Sequence, residues 1–397
     1  MSKKIGIWLV GARGGVATTA IVGLVALQKK ITEPHGLVSE LPQFQSSGLA
    51  DWSTFVVGGH DIRNTQLVEE ASKLQSESRL LSPQLLEICN SEFEAIDQRI
   101  RPGVLFNVGQ TISALADPGM TKSAVTPGEM IDELKSDLEE FKDQNELANV
   151  IMINVSSTEP TVDPETVPGT WAELEGTLGS ENCPLAASSL YGIAALQLGI
   201  PYLNFTPSLG TSPPAICELA EAHEVCHMGH DGKTGETLMK SALAPMFQHR
   251  NLNVMSWVGH NIFGNMDGKV LDDPENKKTK VVSKDRLLGQ ILGYEPQTHI
   301  SIEYIESLGD WKTAWDHIHF QGFLSTPMVL QFTWQGSDSI LAAPLVLDLV
   351  RFAELGLRRG EVGLLTDLCC FFKSPHGIEE NNFVRQFQML ESWANGN

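Results

Sequence analysis

The chain is poor in basic residues. It has 28 lysines and arginines against 49 acidic residues, a formal net charge of −21. A field of that sign repels nucleic acid and anionic lipid, which excludes both as partners. It repels phosphorylated small molecules too, so a phosphate-binding protein of this charge must concentrate its lysines locally. Aromatics are also scarce, at 7%, while 35 glycines are present; that balance favours an α/β fold, whose tight strand-to-helix turns consume glycine. No apolar run reaches membrane-spanning length. No secretory leader is expected: the opening MSKKIGIWLVGARGG has a short apolar run that leads straight into a glycine loop, as a buried strand would. The six cysteines lack any C-x-x-C spacing and read as reduced thiols of a cytoplasmic protein.

With 397 residues, 42% of them apolar, the chain suits two interleaved domains. Residues 5–10 (IGIWLV) read as a buried strand, GARGGVATT as a glycine turn and AIVGLVAL as a helix, the opening of a dinucleotide-binding unit. Further strands are expected at 55–61, 104–109, 149–155 and 202–207, with helices between them. That alternation predicts a Rossmann-type doubly wound parallel sheet over residues 1–240, rejoined by 338–397. Residues 241–337 switch to period-2 alternation and predict an inserted, antiparallel, sheet-rich domain.

Two regions carry chemistry. In the first, Gly11, Ala12, Arg13, Gly14 and Gly15 follow a strand directly, where backbone amides and a helix N-terminus can receive a pyrophosphate. Arg13 stands where G-x-G-x-x-G has its second glycine. Asp61 ends the second strand, placed to accept from a ribose; it lies 50 residues after Gly11 rather than the usual ~20, which calls for an insertion at 29–52. In the second, lysines recur beside glycines and acids in DGKTGETLMK (231–240), GNMDG (264–268), KKTKVVSK (277–284) and GDWKTAWD (309–316). A solvated basic loop is the plain alternative. Lys280 and Lys284, four apart, would share one face of a helical turn, which favours a bound anion or a lysine of lowered pKa. A separate His223, Cys226, His227, His230 run could ligate zinc, or could be a helix end running into a strand.

In this order, the motifs resemble the myo-inositol-1-phosphate synthase family over nearly the whole chain. The family's G-W-D-I is similar to Gly59-His60-Asp61-Ile62, its S-G-Q-T phosphate loop to Thr234-Gly235-Glu236-Thr237 preceded by Asp231, and its G-N-N-D-G to the segment holding Asn265 and Asp267. Its S-K-x-x-S-K resembles the stretch with Lys280 and Lys284, its G-D-S-K the stretch with Lys312, its late acid Asp338, and its final lysine Lys373 in FFKSP. The chain departs from the pattern in three places. Gly15-Val16-Ala17 replaces N-N-G, Val155-Ser156-Ser157-Thr158 replaces T-A-N-T, and Glu236 replaces a neutral glutamine beside the expected phosphate.

The resemblance implies an NAD-dependent isomerase of inositol and phospholipid biosynthesis. It would cyclise the sugar phosphate glucose 6-phosphate to 1D-myo-inositol 3-phosphate as a homotetramer, with a monovalent or divalent cation left open as a second cofactor. It assigns NAD to Gly11, Ala12, Arg13, Gly14, Gly15, Asp61, Ser157, Thr158 and Asp338. Phosphate goes to Thr234, Gly235, Glu236, Thr237, Lys284 and Lys312. Lys280 would move the C5 hydroxyl proton and Lys373 would polarise the C5 or C1 oxygen, with Asp231, Asp267, Asn265 and Asp338 orienting lysines and hydroxyls. A cyclase of another sugar phosphate, an NAD-binding sensor and a dehydrogenase that releases NADH are the alternatives.

Overall fold

A computed structural model describes residues 3–271 and 287–396. Eleven strands are found among them: β1 (Lys4–Val10), β2 (Phe55–Asp61), β3 (Ile100–Pro102), β4 (Leu147–Asn154), β5 (Tyr202–Asn204), β6 (Cys226–Gly229), β7 (Asn253–Phe263), β8 (Gln297–Tyr304), β9 (Trp311–Gln321), β10 (Pro327–Ser337) and β11 (Gly363–Leu364). Seven form one sheet in the order β11-β6-β5-β4-β1-β2-β3, parallel at every pairing.

The sequence of β1 shows why this sheet is covered on both faces. Ile5, Ile7 and Leu9 enter one core with Val22 of the helix Gly15–Gln28 and Val350 of the helix Asp338–Arg359. Trp8 and Val10 point the other way, into a core with Leu134 and Leu190 of the helices Pro127–Gln144 and Ala187–Gln197. An apolar run with no polar alternation is what a strand buried on both faces requires. The helix Asp338–Arg359 is capped by Ser337, whose hydroxyl accepts from Ile340 N–H at 3.1 Å, and it stops at Gly360 in the left-handed conformation, φ 73°.

The register aligns the C-terminal strand ends in one row. Val10 pairs with His60 on one side and Asn154 on the other; Asn154 pairs with Asn204, and Asn204 with Gly229. Loops leaving this row converge on one crevice, the place where open parallel sheets bind ligands.

The second sheet has the order β10-β9-β7-β8. The expectation of a purely antiparallel sheet does not hold: β7 pairs antiparallel with β9, and β9 with β10, but β7 and β8 run parallel. A parallel neighbour needs a crossover rather than a hairpin, and residues 264–296 connect the two strands. The expected strand at 104–109 is also absent. The third strand is the earlier Ile100–Pro102. Beyond it Val104 N–H donates to Tyr191 Oη at 3.1 Å, and positive φ at Asn107 and Gly109 turns the chain into the helix Gly109–Ser113. Its apolar residues Val104, Phe106 and Val108 are nevertheless buried, so hydrophobicity alone does not separate a buried loop from a strand. The expected insertion ahead of β2 is present as three short 3-10 turns between Gln28 and Phe55.

Parallel neighbours pack most tightly at Gly59, where a Cβ would stand 2.3 Å from the Leu9 carbonyl oxygen. We expect Gly59→Ala to cost about 1–3 kcal/mol or more of stability, as overpacking does, read as a lowered denaturant midpoint. An unchanged midpoint would contradict this packing.

Candidate active site

A cavity of about 760 Å³ lies along the row of strand ends and reaches the second sheet. Its first wall is the glycine loop. Gly11 has φ 83°, and a Cβ there would meet Ser156 Cα at 2.8 Å. Gly14 is the N-cap of the helix Gly15–Gln28 and has no side chain to cap it; the first-turn N–H groups of a helix have no partner within the helix. Gly11, Gly14, Gly15, Asp61, Ser157 and Thr158 line the cavity. Ala12 and Arg13 do not: Ala12 is wholly buried, and the Arg13 guanidinium turns away to Asp97 at 3.2 Å and the Arg63 carbonyl at 2.8 Å. The Arg13 backbone N–H still contributes, donating to Asp61 Oδ2 at 2.7 Å while Arg63 N–H donates to Oδ1 at 2.9 Å. These bonds fix the carboxylate and leave it acceptor capacity for ribose hydroxyls. Glycines where a Cβ would collide, a helix N-terminus and an oriented acid at the end of β2 fit a dinucleotide.

The second wall carries cations. Lys373 Nζ donates to Asp231 Oδ1 at 2.8 Å, and the Lys373 backbone N–H donates to the Asp231 carbonyl. Lys312 Nζ lies 3.3 Å from Asp338 Oδ1 and 4.8 Å from the centre of the Phe263 ring. Asn265 Nδ2 reaches Asp338 Oδ2 at 3.4 Å and Asp310 Oδ1 at 3.3 Å. Asp310, the buried carboxylate behind them, accepts from Ser339 N–H and Oγ. Its pKa is raised, chiefly by burial. Ser339 also borders the glycine loop, since a Cβ on Gly15 would approach its Oγ to 2.9 Å. Asp231, Thr234, Asn265, Lys312, Asp338 and Lys373 thus share one cavity with the cofactor loop. Lys280, Lys284 and the side chain of Asp267 lie outside the described residues.

A narrow recess opens between the start of the helix Gly235–His249 and the second sheet, bounded by Thr234, Glu236, Thr237, Asn261, Lys312 and Lys373. Gly235, at φ 55°, turns the chain into that helix without lining the recess. Asn261 escapes the motif reading; Lys240 does not, being the last residue of the DGKTGETLMK segment. Alternation along β7 could have found Asn261, because it occupies an inward position between buried Gly259 and Phe263. Glu159 escapes it too. It is buried on the cavity wall and accepts from Ser188 N–H at 2.7 Å and Ser188 Oγ at 2.5 Å, and burial raises its pKa to about 7. The signal was a glutamate directly after the Ser157-Thr158 loop.

The His/Cys run does not assemble. His223 is exposed at the end of the helix Pro214–Ala222. Cys226 enters one core, while neighbouring His227 turns to the Thr211 hydroxyl at 2.8 Å. No group of three or more His, Cys, Asp or Glu suited to a metal occurs among the described residues.

Comparison with known proteins agrees with this geometry. Residues 5–395 match the family model for myo-inositol-1-phosphate synthase. The chain is 33% identical to inositol-3-phosphate synthase 1 of Bacteroides thetaiotaomicron, over 98% of this chain and 94% of that one. It is 29% identical to inositol-3-phosphate synthase of Candida glabrata, over 89% of this chain and 73% of that one. Among solved structures, inositol-3-phosphate synthase from Caenorhabditis elegans superposes with a TM-score of 0.89 at 24% identity, covering 99% of this chain and 85% of that one. A myo-inositol-1-phosphate synthase-related protein from Thermotoga maritima gives 0.78 at 23% identity, covering 98% of each chain. At those identities the structures establish a shared fold.

Gly14→Asp would put a carboxylate at the helix N-terminus that faces the cavity. We expect it to abolish NAD binding in calorimetry, and wild-type affinity would remove the glycine loop from the cofactor site.

Proposed function

Because the chain belongs to the myo-inositol-1-phosphate synthase family, we propose that it is an isomerase converting glucose 6-phosphate into 1D-myo-inositol 3-phosphate. The observation that carries this reading is the convergence of two acid-held lysines, Lys312 and Lys373, on the cavity that the glycine loop enters. A nucleotide-binding sensor has no use for them. NAD, which Gly11, Gly14, Gly15 and Asp61 would hold, would supply reversible hydride transfer at C5 of the open-chain sugar, with no net redox change.

The residues handle protons and charge. Lys280 takes the C5 hydroxyl proton. The resulting ketone acidifies C6, which loses a proton and attacks the C1 aldehyde. Lys373, oriented by Asp231, donates to the oxygen that gains negative charge at C5 or C1, where a positioned cation in a closed site is most effective. Lys284 and Lys312 hold the phosphate with the amides of Gly235 and Thr237. Asp267, Asn265 and Asp338 orient the lysines and sugar hydroxyls. Six cysteines without C-x-x-C spacing suit a reducing, cytoplasmic setting.

Residues 1–240 and 338–397 form the NAD-binding part in this proposal, and 241–337 the catalytic and oligomerisation part. The outer face of the second sheet shows Trp315, 44% exposed, and Val329, 51% exposed; the turn before β10 shows Phe323, 88% exposed. These side chains, set among Gln331, Thr333 and His317 on the same face, lie on or beside β10, the edge strand of the sheet among the described residues; such an edge suits pairing with a second copy, and we expect a homotetramer by light scattering at micromolar concentration. A monomer would refute that part.

Incubation with NAD+ and glucose 6-phosphate should yield an inositol phosphate by NMR without accumulation of NADH. Lys373→Ala should cut turnover by ~100-fold or more while sparing NAD affinity. Accumulating NADH would instead identify a dehydrogenase, and no reaction would leave a sensor or a cyclase of another sugar phosphate.

A further inference from the structure

Glu236 poses an electrostatic problem. Resting on the reading that a sugar phosphate binds beside Thr234–Thr237, the recess must accept an anion, yet a carboxylate forms part of its wall. The side chain is 1% exposed, so bulk water does little to screen it.

The structure supplies a partner within the same helix. Lys240, four residues on, places Nζ 2.7 Å from Glu236 Oε1, and its side chain is also 1% exposed. One helical turn brings positions i and i+4 together. The second oxygen, Oε2, accepts from Asn261 Nδ2 at 2.5 Å. Both carboxylate oxygens are thus engaged by groups pointing away from solvent. The facing strand makes room for this arrangement: a Cβ on Gly259 would stand 2.4 Å from Glu236 Oε1, so the carboxylate occupies space that only glycine leaves. Asp316, the other carboxylate beside Gly259, accepts from Trp257 Nε1 at 2.7 Å.

We propose that Lys240 is a specificity-determining positioning residue: by pairing with Glu236 it converts one wall of the phosphate recess from a charge into a neutral ion pair. Lys240 does not line the recess. It acts through Glu236. Glu236 and Lys240 are therefore one unit, and the recess repels a phosphate when the carboxylate keeps its charge without the ammonium. A lysine lost alone takes the cation 2.7 Å from Oε1 away from a buried carboxylate that faces the anion. A glutamate lost alone leaves a buried ammonium to attract it.

A double-mutant cycle tests this, with inorganic phosphate titrated calorimetrically into the NAD-loaded protein and KM and kcat for glucose 6-phosphate measured alongside. Lys240→Met should weaken phosphate binding and raise KM by at least ~10-fold, as removing one partner of a buried ion pair does, with kcat and NAD affinity much less affected. Adding Glu236→Gln to it should restore phosphate affinity to within ~3-fold of the parent, the coupling expected of residues in contact. Glu236→Gln alone should bind phosphate more tightly than the parent. It also keeps the proposal testable if Lys240→Met fails to fold. A double variant as weak as Lys240→Met, or a Glu236→Gln variant that binds phosphate no better than the parent, would overturn the proposal. If the parent binds phosphate and the cycle behaves as stated but glucose 6-phosphate is not turned over, the substrate reading fails and the pairing stands.

Discussion

The cation wall of the cavity depends on the junction between Asp231 and Lys373. It has a backbone part, in which Lys373 N–H donates to the Asp231 carbonyl, Lys233 N–H donates to the Phe371 carbonyl, and Gly232 bridges Phe372. It also has a side-chain part, the ion pair at 2.8 Å. The two segments lie 142 residues apart in sequence, so this contact brings the end of the chain back to the loop after β6. Gly232 has no room for a side chain, because a Cβ would fall 2.1 Å from the Phe205 ring. Without that junction the last lysine has no fixed position.

The acidic composition and the cationic site are parts of one arrangement. A buried or half-buried lysine needs an acceptor beside it, and in three pairs a carboxylate determines where the ammonium points. Asp231 holds Lys373, Asp338 holds Lys312 and Glu236 holds Lys240. Each acid orients a positive charge. Stranding a buried charge costs far more than a surface pair contributes, so such pairs are kept or replaced together.

The sequence was most informative where local chemistry and tertiary structure agree. An apolar run buried on both faces, followed by glycines, specified β1 and its loop, and β2 occupies the expected residues, 55–61. It misled where burial and secondary structure part company, as at residues 104–109, whose apolar side chains line a loop pinned by Tyr191. Nor could alternation reveal the parallel pairing of β8, because a strand's pattern reports its faces and not its direction. In the site, lysines and acids set among glycines were legible as motifs. Asn261 and Glu159 were not, because their roles come from partners on other elements. Arg13, which follows the strand within the glycine loop, turns its buried side chain away from the cavity to Asp97; position in a motif fixes the backbone amide and not the guanidinium.

Asp338 and Ser339 are consecutive residues at the start of one long helix. Asp338 meets Lys312, while Ser339 abuts Gly15 of the cofactor loop. The lysine wall of the cavity and its glycine-loop wall are therefore joined through a single peptide unit, about 3.8 Å from Cα to Cα. Covalent geometry holds that length to far closer tolerance than two packed surfaces could. Asp310, gripping Ser339 from behind, holds that peptide unit in place between the two walls.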